Sequence, residues 1–560
     1  MRYYSILFLI IISLNINGQN INDKDINSIR SNFEIENSIK DKNFNAYAIV
    51  NHIDTLAILF NYENAFIVIS KKEELPPIKA FSTNNNINIP ANFDKSNPLS
   101  FYNLIKDDLV QFIKNKEFNS QFVLKNKREW RREREKISTT NIILKESKSQ
   151  VGPLLQSLYG QVNCKDENNH TINVTNLYTP GNYAVGCVAL TFTEVLQYFQ
   201  WPRIGIGSHT YSDNYGSSLG TYTVNYESNY TNWNNIKDHY YKVASTSSQR
   251  MELGKLAYNC AVAVNMDFEY NGSTSNVNRI PAAANKHFRY TAEYISRSAN
   301  QFWTRIDSNL LNKLPVQFPI YTSSGAGHAI VCDGIKDIGQ ATQYYHLNMG
   351  WWGSANGWYN IQGSFNAGGY SNITGAVVDM TPVPEMAKPR IKMETNTVEV
   401  AWYYPPKITP QAYEIQVKDG SNNWKTLANN TTSTSLSYTY TSTDLHRFRV
   451  RAKYAGRWKN DGWSNYESID IEKEINNYYP ETLKIYPTIT NGNINLEYKY
   501  LKGSIIEIFN SNGIRVFSAK IADNDESGSR TINLQYLQSG IYFLKINSSA
   551  GKESYKIIKL

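Results

Sequence analysis

GNYAVGCVALTFTEVLQYFQWP, residues 181–202, decides how this chain is read. Val188, Phe192, Val195, Leu196 and Phe199 recur at helical spacing, which predicts a helix with an apolar stripe from Cys187 onward. Cys187 falls in the first turn, about a quarter turn off the centre of that stripe, with Thr191 and Glu194 on its side. Free backbone N–H groups and the helix dipole favour an anion there, and such a setting lowers a thiol pKa. Gly186 permits close approach of backbone or substrate. A lone cysteine is more often a small core hydrophobe. The stretch by itself therefore leaves two readings, nucleophile or core residue.

A thiolate nucleophile needs a base and an oxyanion donor, and candidates stand elsewhere in the chain. His328 lies in TSSGAGHAIVCDGI (322–335), where small residues leave space beside the ring and a short apolar strand fixes it. It follows Cys187 by 141 residues. Asn348, in YYHLNMGWWGSANGWYNI (344–361), follows 20 residues later and ends another strand. Cys, then His and Asn, at this separation is the order of papain-like catalysis. An Asn in that place accepts the imidazole N–H and holds the tautomer that pairs with the thiolate. His346 shares the strand of Asn348 and reads as a structural hydrogen-bonding residue. Gln161, in LLQSLYGQVN (154–163), could aim its carboxamide at a developing oxyanion beside the Cys187 N–H.

The rest of the chain sets the context. At 560 residues it exceeds one domain. A net charge of +8 spread over that length does not argue for nucleic acid. MRYYSILFLIIISLNINGQ has an Arg, a short apolar run and a polar end, the layout of a cleaved secretory signal over 1–19. No later stretch reaches spanning length. Four cysteines (Cys164, Cys187, Cys260 and Cys332) without a CxxC pair argue against zinc and against a disulfide scaffold, and no metal or cofactor is expected. Residues 20–145 combine β-alternation (Tyr47, Ile49, Phe66, Val68) with a helix carrying Leu104, Leu109, Phe112 and Ile113. They end in KNKREWRREREKI (125–137), read as a solvated helix face or linker that could also be cut. Pro382, Pro384 and Pro389 mark a linker, after which 384–475 and 476–560 each read as an all-β sandwich, the last with a hairpin turn at Ser511-Asn512-Gly513.

Taken together, LYGQ (158–161), GCVA (186–189), YFQWP (198–202), GHAIVCDG (327–334) and HLNMGWWG (346–353) make residues 146–383 resemble the streptopain family of papain-like cysteine peptidases. The resemblance implies an α+β fold in which the Cys helix packs on an antiparallel sheet or barrel bearing His and Asn. It also implies Cys187 as nucleophile, His328 as general base, Asn348 as its orienter and Gln161 in the oxyanion hole. The chain departs from the family pattern in three places: Met349 stands for a Trp that shields the Asn–His bond, Trp352 for a Gly, and Leu158-Tyr159 for Gln-Trp. None of these removes a chemical group from the mechanism. AYAIVN (46–51) and NAFIVISKKEELPPIKAFS (64–82) resemble the family's propeptide, which implies a zymogen cut between Lys125 and Val151. Trp402, Tyr413, Phe448 to Ala452 and Trp463-Ser464 resemble a fibronectin type III module. Tyr486-Pro487, Asn512-Gly513, Leu537, Ser539-Gly540-Ile541-Tyr542 and Lys556 to Lys559 resemble the type IX secretion sorting domain of Bacteroidetes, without its usual Asn-Pro. The expectation is a secreted or surface-attached endopeptidase acting on protein substrates, with its own propeptide and the secretion machinery as partners. A transglutaminase or amidase fits the Asn and the long Cys-to-His gap less well, and a non-catalytic surface adhesin does not need the four polar groups.

Overall fold

A computed structural model describes residues 20–89, 95, 100–114, 120–138, 149–216, 218–322, 325–337, 343–361, 370–420, 423–478, 482–499, 501, 503–522, 527–548 and 551–560. The expected signal (1–19) and part of the expected cleavage segment (139–148) lie outside them. The chain divides into two compact units. One holds Met1–Glu385, Tyr403–Tyr413 and Arg451–Ser464; the other holds Met386–Trp402, Glu414–Val450 and Asn465–Leu560.

The first unit is α+β. Its N-terminal part contains α1 (Asp23–Glu36), strands β1 (Phe44–Asn51), β2 (Asp54–Tyr62), β3 (Phe66–Ser70) and β4 (Ile78–Ser82), then α2 (Phe101–Lys114) and α3 (Ser120–Ser138). Asn22 caps α1 through its side chain, with Asp23 and Asp25 in the first turn, where carboxylates oppose the positive end of the helix dipole. The run 125–137 is not merely a solvated face: within α3, Trp130 is fully buried and donates its indole N–H to the Leu75 carbonyl at 2.9 Å. Arg134 reaches Asp25 and Glu73 at 3.1 and 2.9 Å. One side of the helix is thereby fastened to the block before it.

After β5 (Gln150–Val151) come α4 (Cys187–Phe199), α5 (Ser247–Ala263), α6 (Ile280–His287), β6 (Tyr290–Ser296) and α7 (Phe302–Leu311). Then follow β7 (Val316–Thr322), β8 (Gly327–Lys336), β9 (Tyr344–Asn348), β10 (Gly357–Tyr359), β11 (Tyr370–Ile373) and β12 (Gly375–Pro382). The strand order is β1-β2-β3-β4-β10-β9-β8-β7-β12-β6, with β5 on β8 and β11 on β7. Two segments far apart in sequence meet at β4 and β10, where Phe81 pairs Trp358 and Ala80 pairs Tyr359. One hydrogen-bonded sheet therefore runs across the expected boundary near residue 145. β8 alternates between cores. Ala329 and Val331 join the cluster built on α4, while Ile330 and Cys332 join the cluster that contains β1–β4, α2 and α7, as the period of two requires for a strand covered on both faces.

Residues 385–470 form a four-stranded and a five-stranded sheet. In the second unit, residues 482–559 form a three-stranded and a five-stranded sheet around a shared apolar core that includes Ile494, Leu496, Ile506, Leu544 and Ile557. The turn at 511–513 connects adjacent strands as expected, with Gly513 at φ 76°. All four cysteines are unpaired. No helix among the described residues is long and apolar enough to cross a membrane.

Candidate active site

α4 starts at Cys187 because Gly186 breaks the preceding chain. Gly186 has φ 86° and ψ 140°, a conformation open essentially to glycine. Its missing side chain is also required: a Cβ there would lie 2.5 Å from the Met266 sulfur. Beyond Cys187 the helix is buried on nearly every side, not only along the expected stripe. Thr191 and Glu194, which share the cysteine's side, are 1% and 0% exposed. They are covered because that face packs against the layer holding Asn348 and the segment around Tyr159.

The structure brings Cys187 and His328 onto the wall of one cavity of roughly 250 Å³, together with Ser273, Thr274, Ser275, Val277, Pro319 and Tyr321. Ser273, Thr274, Ser275 and Val277 come from one loop, between α5 and α6. The hairpin of Ser208–Asp213 on Gly220–Asn225 contributes none of these residues. Burial pushes the Cys187 thiol up, opposed by the backbone N–H groups of Ala329, Val188 and Cys187 itself, which favour the thiolate. Burial pushes the His328 imidazole down to about 4, opposed by its bond to Met349. Burial thus disfavours the charged form of each group taken alone.

Asn348 does not sit where the sequence placed it. The His328 Nε2 donates to the backbone carbonyl of Met349 at 2.9 Å. A carbonyl only accepts, so the neutral ring carries its proton on Nε2 and its lone pair on Nδ1. The Asn348 carboxamide instead donates to the Ser157 carbonyl at 3.0 Å and to Glu194 Oε1 at 3.1 Å, and its oxygen accepts from the Gly350 N–H at 3.0 Å. The reason is steric and local. Asn348 ends β9 facing α4, and the chain then turns so that the next carbonyl, not the Asn side chain, reaches the imidazole. Met349 itself is fully buried, and Trp351 supplies the cover over the ring, stacked at 5.4 Å and 18°.

Gln161 is held through its backbone. Its carbonyl accepts from the Val185 N–H at 2.9 Å, two residues before the cysteine. Gly160 bridges Trp351, and the Trp352 N–H donates to the Tyr159 carbonyl at 2.9 Å. A Cβ on Gly160 would lie 2.3 Å from the Trp352 indole nitrogen, so this contact demands glycine. Trp352 has φ 55°, a left-handed conformation that explains why glycine is the easier residue at its position. The Gln161 carboxamide is half-exposed and makes no hydrogen bond among the described residues.

Sequence reasoning missed the polar layer beneath these groups. Asp333 is fully buried, bonds His346 Nδ1 at 2.6 Å and accepts the Leu155 N–H at 2.9 Å. His346 is thus a structural residue, as read. Glu194 accepts from Asn348, and burial with the nearby Asp333 pushes its carboxyl well above the usual range. The signal was present: a Glu inside an apolar helix and an Asp after GHAIVC are both costly to bury unpartnered.

Residues 162–359 match the Peptidase C10 family. The chain carries a Peptidase C10 domain. Residues 484–560 match the secretion system C-terminal sorting domain, which places the chain among exported proteins. Streptopain of Streptococcus pyogenes is 27% identical over 216 residues, covering 36% of this chain and 53% of streptopain. The chain therefore spans about half the length of that relative. The thiol protease/hemagglutinin PrtT of Porphyromonas gingivalis is 26% identical over 215 residues, 36% of this chain and 24% of PrtT. A fragment of prointerpain A from Prevotella intermedia superposes with a TM-score of 0.44 at 22% identity, over 60% of this chain and 98% of the fragment.

Proposed function

We propose that the chain is an exported cysteine endopeptidase made as a zymogen. The observation that carries the reading is the shared cavity of Cys187 and His328, with an imidazole whose tautomer puts the basic lone pair on Nδ1. In this reading the His328 Nδ1 takes the Cys187 proton as the sulfur attacks a peptide carbonyl. Partial burial of Cys187 and burial of His328 disfavour either charge alone, and the thiolate and imidazolium stabilise each other once formed. The Cys187 N–H and the Gln161 carboxamide stabilise the oxyanion. His328 then gives its proton to the leaving amine, the amine departs, and water hydrolyses the thioester to release acid and free thiol. Met349, through its carbonyl, takes the orienting role expected of Asn348, and Asn348 braces the segment leading to Gln161.

Residues 20–145 act as the inhibitory prosegment. They complete the catalytic sheet at β4 and grip the loop after Asn348, where the Ala355 N–H donates to the Asn86 carbonyl at 3.4 Å and the Asn88 N–H to Ser354 Oγ at 3.2 Å. Cleavage between Lys125 and Val151 releases them. Residues 384–475 serve as a fibronectin type III-like spacer, and the sorting domain engages the type IX secretion machinery, leaving the enzyme released or attached at the surface. Incubation of processed protein with a biotinylated epoxide of the E-64 type tests the reading. A single adduct on Cys187 with loss of casein cleavage is expected; labelling of Cys164, Cys260 or Cys332 instead would overturn it.

A further inference from the structure

Because the imidazole is held by a backbone carbonyl, something must hold that backbone. Met349 lies between Asn348 and Gly350, and Gly350 has φ 71°, so the turn after β9 needs its peptides tied on both sides of Met349. The Gly350 N–H, in the peptide that carries the Met349 carbonyl, is held by Asn348 Oδ1 at 3.0 Å. The tie on the other side is Asn356. Its Oδ1 accepts the Met349 N–H at 2.8 Å, and both residues are buried, Asn356 at 2% exposure. Asn356 is itself set by its own N–H on the Gly353 carbonyl at 3.3 Å, and the Ser354 N–H bonds the Trp351 carbonyl at 3.0 Å. The residues 349–356 thus form a closed loop. At one end it holds the His328 Nε2–H, in its middle it lays Trp351 on the same ring, and Asn356 draws it shut.

We propose that Asn356 is a positioning residue for the His328 imidazole: by accepting the Met349 N–H it fixes the Asn348–Met349 peptide, and with it the direction of the Met349 carbonyl in the next peptide, and so fixes the Nε2–H tautomer and the aim of Nδ1 at Cys187. The inference rests on the peptidase reading only for its kinetic arm. Without the Asn356 oxygen the buried Met349 N–H is left unpaired, which costs enough to turn the peptide toward another acceptor. The Met349 carbonyl, in the next peptide, then moves with it, and a misplaced base lowers the chemical step more than substrate binding.

The test uses full-length proprotein in the Cys187→Ala background, labelled with ¹⁵N-histidine, and in parallel the processed enzyme with native Cys187. In the proprotein the His328 nitrogens report the tautomer without any need for activity. The proposal expects the Nε2–H pattern in the parent, its loss in Asn356→Ala and its return in Asn356→Asp, which keeps the acceptor. In the processed enzyme, Asn356→Ala lowers kcat tenfold or more with KM within about twofold, and Asn356→Asp recovers most of it. An Asn356→Ala protein that keeps both the tautomer and kcat overturns the proposal. If the Ala variant does not fold, Asn356→Asp decides alone, and absence of the Nε2–H pattern there overturns it. An inactive native enzyme with the expected tautomers would refute the peptidase reading and leave this one standing.

Discussion

Gly186→Ala perturbs the point on which the site turns. Two terms add. At φ 86° and ψ 140° an alanine sits in a region nearly closed to residues with a Cβ, at a cost of ~1–3 kcal/mol. The new methyl would also stand 2.5 and 2.6 Å from the Met266 sulfur and methyl and 3.3 Å from the Ser273 carbonyl, and overpacking of that kind costs ~1–3 kcal/mol. The thioether end is flexible and yields part of the second term. The sum is about 2–4 kcal/mol, all of it at the residue before Cys187. The assay is thermal unfolding of the Cys187→Ala proprotein with and without the substitution, paired with the iodoacetamide rate of Cys187 in otherwise native protein. Gly186→Ala should lower the first transition, and adding Met266→Ala should return only the packing share, leaving the backbone term in place. The alkylation rate should change as well, since α4 can no longer start at Cys187 unaltered. A Gly186→Ala protein within about 0.5 kcal/mol of its parent, a change expected only at unconstrained sites, would refute the argument. So would full recovery in the double variant, which would show that the backbone conformation carries no cost.

Two further outcomes follow from buried titratable groups. His328 is held near 4 in the folded chain against about 6.5 unfolded, so below pH 6.5 the unfolded chain binds a proton that the folded chain refuses. Stability is lost progressively as pH falls from about 6.5 to about 4, by about 3 kcal/mol; proprotein carrying His328→Gln should show a shallower decline, and identical pH curves would contradict the assigned burial. Asp333 is bonded to His346 Nδ1 at 2.6 Å and accepts the Leu155 N–H at 2.9 Å, so Asp333→Ala leaves buried polar groups unpaired, at ~1–3 kcal/mol each, and should couple to His346→Gln by ~1 kcal/mol or more in a double-mutant cycle read by thermal unfolding. Additivity of the two changes would show that they do not act as a pair.

How much was legible in the sequence depends on the kind of signal. The helix at Cys187 was readable from its apolar spacing, and the alternation in GHAIVC announced a buried strand. The co-lining of one cavity by Cys187 and His328 was reachable from order and separation alone. What spacing could not show was which atom of the 348–349 dipeptide faces the ring. That depends on a peptide orientation set by Asn356 and Gly350, and side-chain identity says nothing about a backbone carbonyl. Trp351 was invisible for a related reason: with two adjacent tryptophans and a left-handed Trp352, the loop's local geometry decides which indole covers His328. The shared sheet was also hidden, because the pairing of Phe81 with Trp358 joins residues too far apart for local pattern to register. The burial of Trp130 belongs to the same class. The charged residues around it look like a solvated surface until the Leu75 carbonyl is seen to receive its indole N–H.

The central claim is that Cys187 is a nucleophile served by His328, and purified Cys187→Ala proprotein tests it most directly. Native proprotein, incubated alone and then with casein, should lose its N-terminal segment between Lys125 and Val151 and then cleave the casein. The Cys187→Ala protein should fold with the same thermal transition, remain full-length and leave casein intact until active enzyme is added in trans. Processing and casein cleavage by the variant at the native rate would contradict the account.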